Sequence, residues 1–112
     1  TLDRAKQIAA LIDNKKGEEV RVLQIGTLTT IGDYFVVATG NSTTQVKALA
    51  DEVEEKLSAE GLEPKRIEGY ASASWILLDY YDVIVHIFLK ETREFYALER
   101  LWGDAPEIDW TK

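Results

Sequence analysis

The run WILLDYYDVIVHIF, from Trp75 to Phe88, constrains the fold more than any other part of the chain. It divides at Asp79-Tyr80-Tyr81-Asp82, a turn between two strands, and apolar residues fill both alternation phases on either side of that turn. A strand with one wet face alternates polar and apolar residues, so these two strands need cover on both faces. Helices or a partner must supply it. The segment runs straight into REFYALERLWGDA, Arg93 to Ala105, where aromatic, acidic and basic residues crowd onto one predicted helix.

The rest of the chain offers helices as cover. Leu2, Ala5, Ile8, Ala9 and Ile12 recur at helical spacing until Asn14-Lys15-Lys16-Gly17 stops them. Val20 to Ile25 and Tyr34 to Thr39 read as strands, joined by a Thr-rich connection from Gly26 to Asp33. Ser42 and Gln45 match a capping box, Val46, Leu49, Ala50, Val53 and Leu57 form one stripe, and Gly61 closes that second helix. Pro64 to Glu68 reads as a short strand near an edge, and Gly69 to Ser74 as a loop. Glu91 to Trp102 returns to helical spacing, and the tail from Gly103 reads as irregular. The expected architecture is α+β, a five-stranded mixed sheet flanked by three helices in the order αββαβββα, as one domain over residues 1–112.

Charge bears on partners. The 112 residues carry a formal net charge of -7, which disfavours direct contact with nucleic acid, since that binding runs on Lys and Arg displacing counterions. A basic protein component is the better match. No stretch approaches the roughly 20 apolar residues that span a bilayer, and the chain has no Cys, which removes disulfides and thiol chemistry. These features lead to the expectation of a soluble protein of the cytosol or an organellar matrix.

Catalytic readings find little support. The turn Ala38 to Thr43 brings backbone N–H groups and hydroxyls to a helix start, where an anion can sit, but helix capping by Asn41 or Ser42 explains the same residues. Metal-dependent nucleotidyl transfer needs paired carboxylates on a strand, whereas Asp79 and Asp82 flank a turn without a third. His86 is the sole histidine, and alternation puts it on one face with Asp82, Ile84 and Phe88. No Ser sits in a nucleophile-elbow context, so His86 reads as a structural or contact residue. The acidic run from Asp51 to Glu55 reads as the solvated side of the second helix. Trp75, Tyr80, Tyr81, Arg93, Tyr96 and Trp102 are the residue types that anchor interfaces, which favours a contact surface here.

Four ordered motifs carry a resemblance: DYFVVATGNSTTQVKALAD at Asp33 to Asp51, EGY at Glu68 to Tyr70, W-x-LLDY-x-DVIVHIF at Trp75 to Phe88, and R-x-FY-x-LERLWGDA at Arg93 to Ala105. Together they closely resemble the ribosomal silencing factor family, also called the Iojap family. The resemblance implies a non-enzymatic translation repressor, without cofactor, on a nucleotidyltransferase-related fold that lacks the catalytic carboxylates. It implies binding to the large ribosomal subunit through large-subunit ribosomal protein fourteen, and a steric block to small-subunit joining under nutrient limitation. Bacterial cytoplasm is the compartment it favours. By motif, Trp75, Leu77, Leu78, Asp79, Tyr80, Asp82 and His86 fall in the signature strands, and Arg93, Tyr96, Glu99 and Trp102 in the signature helix. Trp75 and Tyr80 are the expected anchors. The chain departs from the pattern at Tyr81, where relatives usually carry Gly, and at Ser74, where many carry Arg. A degenerate nucleotide-binding protein and a homodimer built on the same apolar surface are the alternatives.

Overall fold

The computed structural model describes residues 2–26, 33–96 and 105–111 of the chain. The elements run α1 (Leu2–Asn14), β1 (Glu18–Gln24), β2 (Tyr34–Gly40), α2 (Thr43–Ala59), β3 (Arg66–Glu68), β4 (Trp75–Tyr80), β5 (Val83–Leu89), α3 (Lys90–Tyr96) and β6 (Glu107–Ile108). They build one mixed sheet in the order β3-β4-β5-β2-β1-β6. At its centre β2 and β5 run parallel, with Tyr34 opposite Val83 and Gly40 opposite Leu89. The other neighbouring pairs are antiparallel. The sixth strand corrects the expected count of five. Two residues beyond Pro106 add to β1 with Val22 opposite Ile108, and the Trp110 indole donates to the Val20 carbonyl at 3.0 Å. A two-residue strand next to a proline leaves no alternation for a sequence pattern to register.

Local chemistry sets the helix ends. Ser42 caps α2, its Oγ accepting the Gln45 N–H at 3.1 Å, while Gln45 Oε1 reaches back to the Asn41 N–H at 2.6 Å. The reciprocal bond of the expected capping box thus lands one residue earlier than usual. At the other end Gly61, with φ +85°, lets Leu62 N–H reach the Leu57 carbonyl and Gly61 N–H the Ser58 carbonyl. That bond pair is a Schellman motif.

One sheet face carries α1 and α2. Ile8, Ile12, Leu49, Val53 and Leu57 pack there on Val22, Val36, Ile76, Leu78, Tyr80, Val85 and Ile87. The opposite face gathers Leu23, Ile25, Phe35, Val37, Ile84 and Phe88, with Trp75 and Leu77 half-buried at its margin. Both faces of β5 are closed, as a sequence apolar at every position but His86 requires. Arg93 ties α3 to this second face. Only 6 % exposed, it donates to the Thr39 hydroxyl at 2.6 Å and to the Glu19 carbonyl at 2.7 Å, where β1 carries an irregularity in register.

The hairpin between β4 and β5 keeps a positive φ at Tyr81 (+72°) without glycine. Asp79 Oδ1 accepts the Tyr81 N–H at 2.8 Å, and Asp82 N–H bonds the Tyr80 carbonyl at 2.9 Å. A side chain in the left-handed region costs about 1 kcal/mol, and the Tyr81 ring is 57 % exposed and recovers little by packing. Tyr81→Gly is expected to raise stability by up to about 1 kcal/mol. Urea unfolding checks this; a lower midpoint would show that the exposed ring stabilises the turn.

Candidate partner-binding face

The two sheet faces sort the sequence-derived site residues into separate sets. Register places Trp75 opposite Phe88, Leu77 opposite His86 and Asp79 opposite Ile84, so these residues share the second face. Leu78 and Tyr80 point the other way. Tyr80 is 4 % exposed and packs within the helix-covered core, as does Leu78. This corrects the expectation that Trp75 and Tyr80 anchor one contact: an odd and an even position of one strand face opposite sides. The aromatic enrichment in the sequence carried no information about which of its members reach the surface.

Three more expected contact residues turn inward. Asp79 braces the hairpin through Tyr81, lies 3.5 Å from Arg66 and is largely buried. Arg93 is the α3 tether described above. His86 is 4 % exposed. Asp82 is exposed at the hairpin tip, where its carbonyl accepts the N–H groups of Asp33 and Tyr34. Tyr96 ends the described part of α3, and Glu99 and Trp102 lie outside the described residues.

Among the described residues, what stays open is the β3–β4 end of the second face. A groove of about 310 Å³ is lined there by Glu68, Gly69, Trp75 and Leu77. Register puts Glu68 opposite Leu77 and Arg66 opposite Asp79, which brings an exposed 3.0 Å ion pair, Arg66 with Glu68, to the groove's edge. Glu68 and Gly69 were not singled out as contacts from sequence. The EGY motif was the available signal, and its glycine has a geometric reason. Gly69 has φ +80°, and a Cβ there would stand 2.1 Å from the Trp75 carbonyl oxygen. Tyr70 of the same motif folds back onto α2, bonding Asp51 at 3.0 Å with the Lys47 ammonium 5.5 Å from its ring centre.

Behind the groove, the Trp75 indole N–H donates to His86 Nδ1 at 3.1 Å. Phe35 meets the imidazole edge-on with centres 4.5 Å apart, and Phe88 lies 4.9 Å from the Trp75 ring. Burial pushes the His86 pKa down from 6.5 to about 4. The folded chain therefore binds fewer protons than the unfolded chain between those values. Stability from this group is complete above pH 6.5 and falls as pH drops toward about 4, by about 3 kcal/mol in total. His86→Gln is expected to flatten that part of the profile, read by urea unfolding between neutral pH and about pH 4; parallel profiles would assign the acid sensitivity to other groups.

At the helix-start turn the Asn41 N–H bonds Gln45 Oε1 and the Ser42 Oγ accepts the Gln45 N–H, so both residues serve the cap of α2. Among the described residues, no three His, Asp or Glu side chains group as metal ligands, and no helix is long and apolar enough to cross a membrane.

A family model described as "Ribosomal silencing factor during starvation" matches residues 1–112. The chain belongs to the ribosomal silencing factor family. It is therefore one of a group of ribosome-associated regulators of translation. It is similar to the ribosomal silencing factor of Halalkalibacterium halodurans, 45% identical over 98 residues, covering 88% of this chain and 84% of that one. The Bacillus subtilis silencing factor is 41% identical over 104 residues, covering 93% and 88%. A crystal structure of a Chromobacterium violaceum protein superposes with a TM-score of 0.86 at 36% identity, covering 92% of this chain and 87% of that one. A longer mouse relative, "Mitochondrial assembly of ribosomal large subunit protein 1", is 29% identical over 98 residues, and the match spans 43% of its length. The mixed sheet with three helices is thus shared with silencing-factor relatives of known structure.

Proposed function

We propose that the chain binds the large ribosomal subunit through large-subunit ribosomal protein fourteen and blocks joining of the small subunit by steric exclusion. The observation that carries the reading is the open end of the second face: a half-buried Trp75 beside Leu77 over a groove, on a protein of net charge -7. An aromatic anchor at the rim of a groove is the usual centre of a protein contact. The acidic surface steers it toward a basic protein component of the ribosome and away from exposed phosphate. The names of the relatives support the same direction, since the bacterial ones are called silencing factors and the mouse one is named for the ribosomal large subunit. No chemistry is required. Occupation of the joining surface suffices to lower translation when nutrients are scarce, and in a bacterium the site of action is the cytoplasm.

Trp75→Ala is expected to weaken binding to isolated large subunits by about 2 kcal/mol or more, roughly thirtyfold, with the fold retained because the ring lies at the margin of its cluster. Co-sedimentation with purified subunits measures the loss, and sucrose gradients of mixed subunits measure joining. Unchanged joining at saturating protein would defeat the reading. Should the same face pair two copies of the chain instead, light scattering over a concentration series will show a dimer that Trp75→Ala dissociates.

A further inference from the structure

We propose that His86 is the positioning residue for Trp75: its Nδ1 takes up the indole N–H, so that Trp75 offers a partner ring carbon alone. The inference rests on the docking reading above for what Trp75 meets, and on geometry for the pair itself. The 3.1 Å bond from Trp75 Nε1 to His86 Nδ1 links neighbouring strands on one face as a diagonal pair, Trp75 standing two residues before Leu77, which is directly opposite His86. Because Nδ1 accepts, the neutral imidazole carries its proton on Nε2, and that buried nitrogen has no hydrogen-bond partner among the described residues.

A buried donor left without an acceptor is unfavourable, and Leu or Phe would fill the same space without that loss. The site nevertheless carries an imidazole between Phe35 and Phe88, wedged edge-on against the first with centres 4.5 Å apart. What His86 contributes that an apolar residue cannot is the Nδ1 acceptor. The indole has a single polar atom. With that atom turned inward, the groove beside Leu77 presents apolar ring surface, whereas an unbound N–H would seek water or a partner's carbonyl. His86 thereby fixes both the angle of the ring and the chemistry that the ring shows.

The bond can be observed in the unaltered protein. Uniformly nitrogen-15-labelled chain should show a scalar coupling across the N–H···N bond between Trp75 Nε1 and His86 Nδ1, the indole signal being assigned by its loss in Trp75→Phe. In His86→Leu the indole N–H should shift and exchange with solvent roughly tenfold faster, and binding to isolated large subunits should weaken roughly tenfold. In a Trp75→Phe background, His86→Leu should have no further effect on binding, because the donor it served is already gone. An absent coupling in the unaltered chain overturns the positioning, whether or not the variants fold. So does a His86→Leu loss that persists in full in the Trp75→Phe background. A chain that shows the coupling but fails to bind large subunits overturns the docking reading instead.

Discussion

Tyr80→Ala is expected to cost about 3–5 kcal/mol of stability, the range for emptying a large aromatic site in a core. The ring is buried under α1 and α2 among Ile76, Leu78 and Val83, and the loss is a large share of the total stability of a small domain. The hydroxyl behaves oppositely. It is buried with no hydrogen-bond partner among the described residues, and burial together with Glu54 and Glu63 pushes its pKa up to about 12, so it stays protonated. Tyr80→Phe is accordingly expected to be neutral or to stabilise by up to about 1 kcal/mol. Urea unfolding of both variants separates ring from hydroxyl. A Tyr80→Ala protein with an unchanged midpoint and lost ribosome binding would return Tyr80 to the contact surface.

Gly69→Ala is expected to cost about 3 kcal/mol or more, because two penalties coincide at one atom. The backbone sits at φ +80°, and the added Cβ would approach the Trp75 carbonyl oxygen to 2.1 Å, far inside contact distance. Backbone must move. The moving part is the start of β4, so the variant should lose affinity for large subunits beyond what its lost stability explains. Gly61→Ala is the control, since Gly61 has a similar φ of +85° but open space around its missing Cβ. If the two variants lose equal stability, φ alone accounts for the effect and the clash does not.

The parts of this fold set by local chemistry were legible in the sequence. The Ser42 cap, the α2 stripe and the Gly61 stop each depend on residues within one or two turns, and all three stand where expected. So does the closure of both faces of β5, which its composition demands. Choices made by distant neighbours were not legible. Arg93 looked like a surface anchor, and its burial depends on Thr39 and on a β1 irregularity far away in sequence. Tyr80 and Trp75 are alike in composition, and only the placement of α1 and α2 decides which of them is core. Tyr81 shows the opposite case: the unusual residue was visible, and the fold holds the positive φ instead of changing the turn.

The central parallel pair has a kinetic consequence. Because β2 and β5 join segments roughly fifty residues apart, the β1–β2 and β4–β5 hairpins can each form early, but the sheet closes only after a long loop is gathered through α2. Until then, the mating edges of the two hairpins are unpaired templates for other nascent chains. Once the sheet closes, its outer strands are three and two residues long, too short to recruit another strand firmly. The time for which a newly made chain is prone to aggregate is therefore set by one crossover.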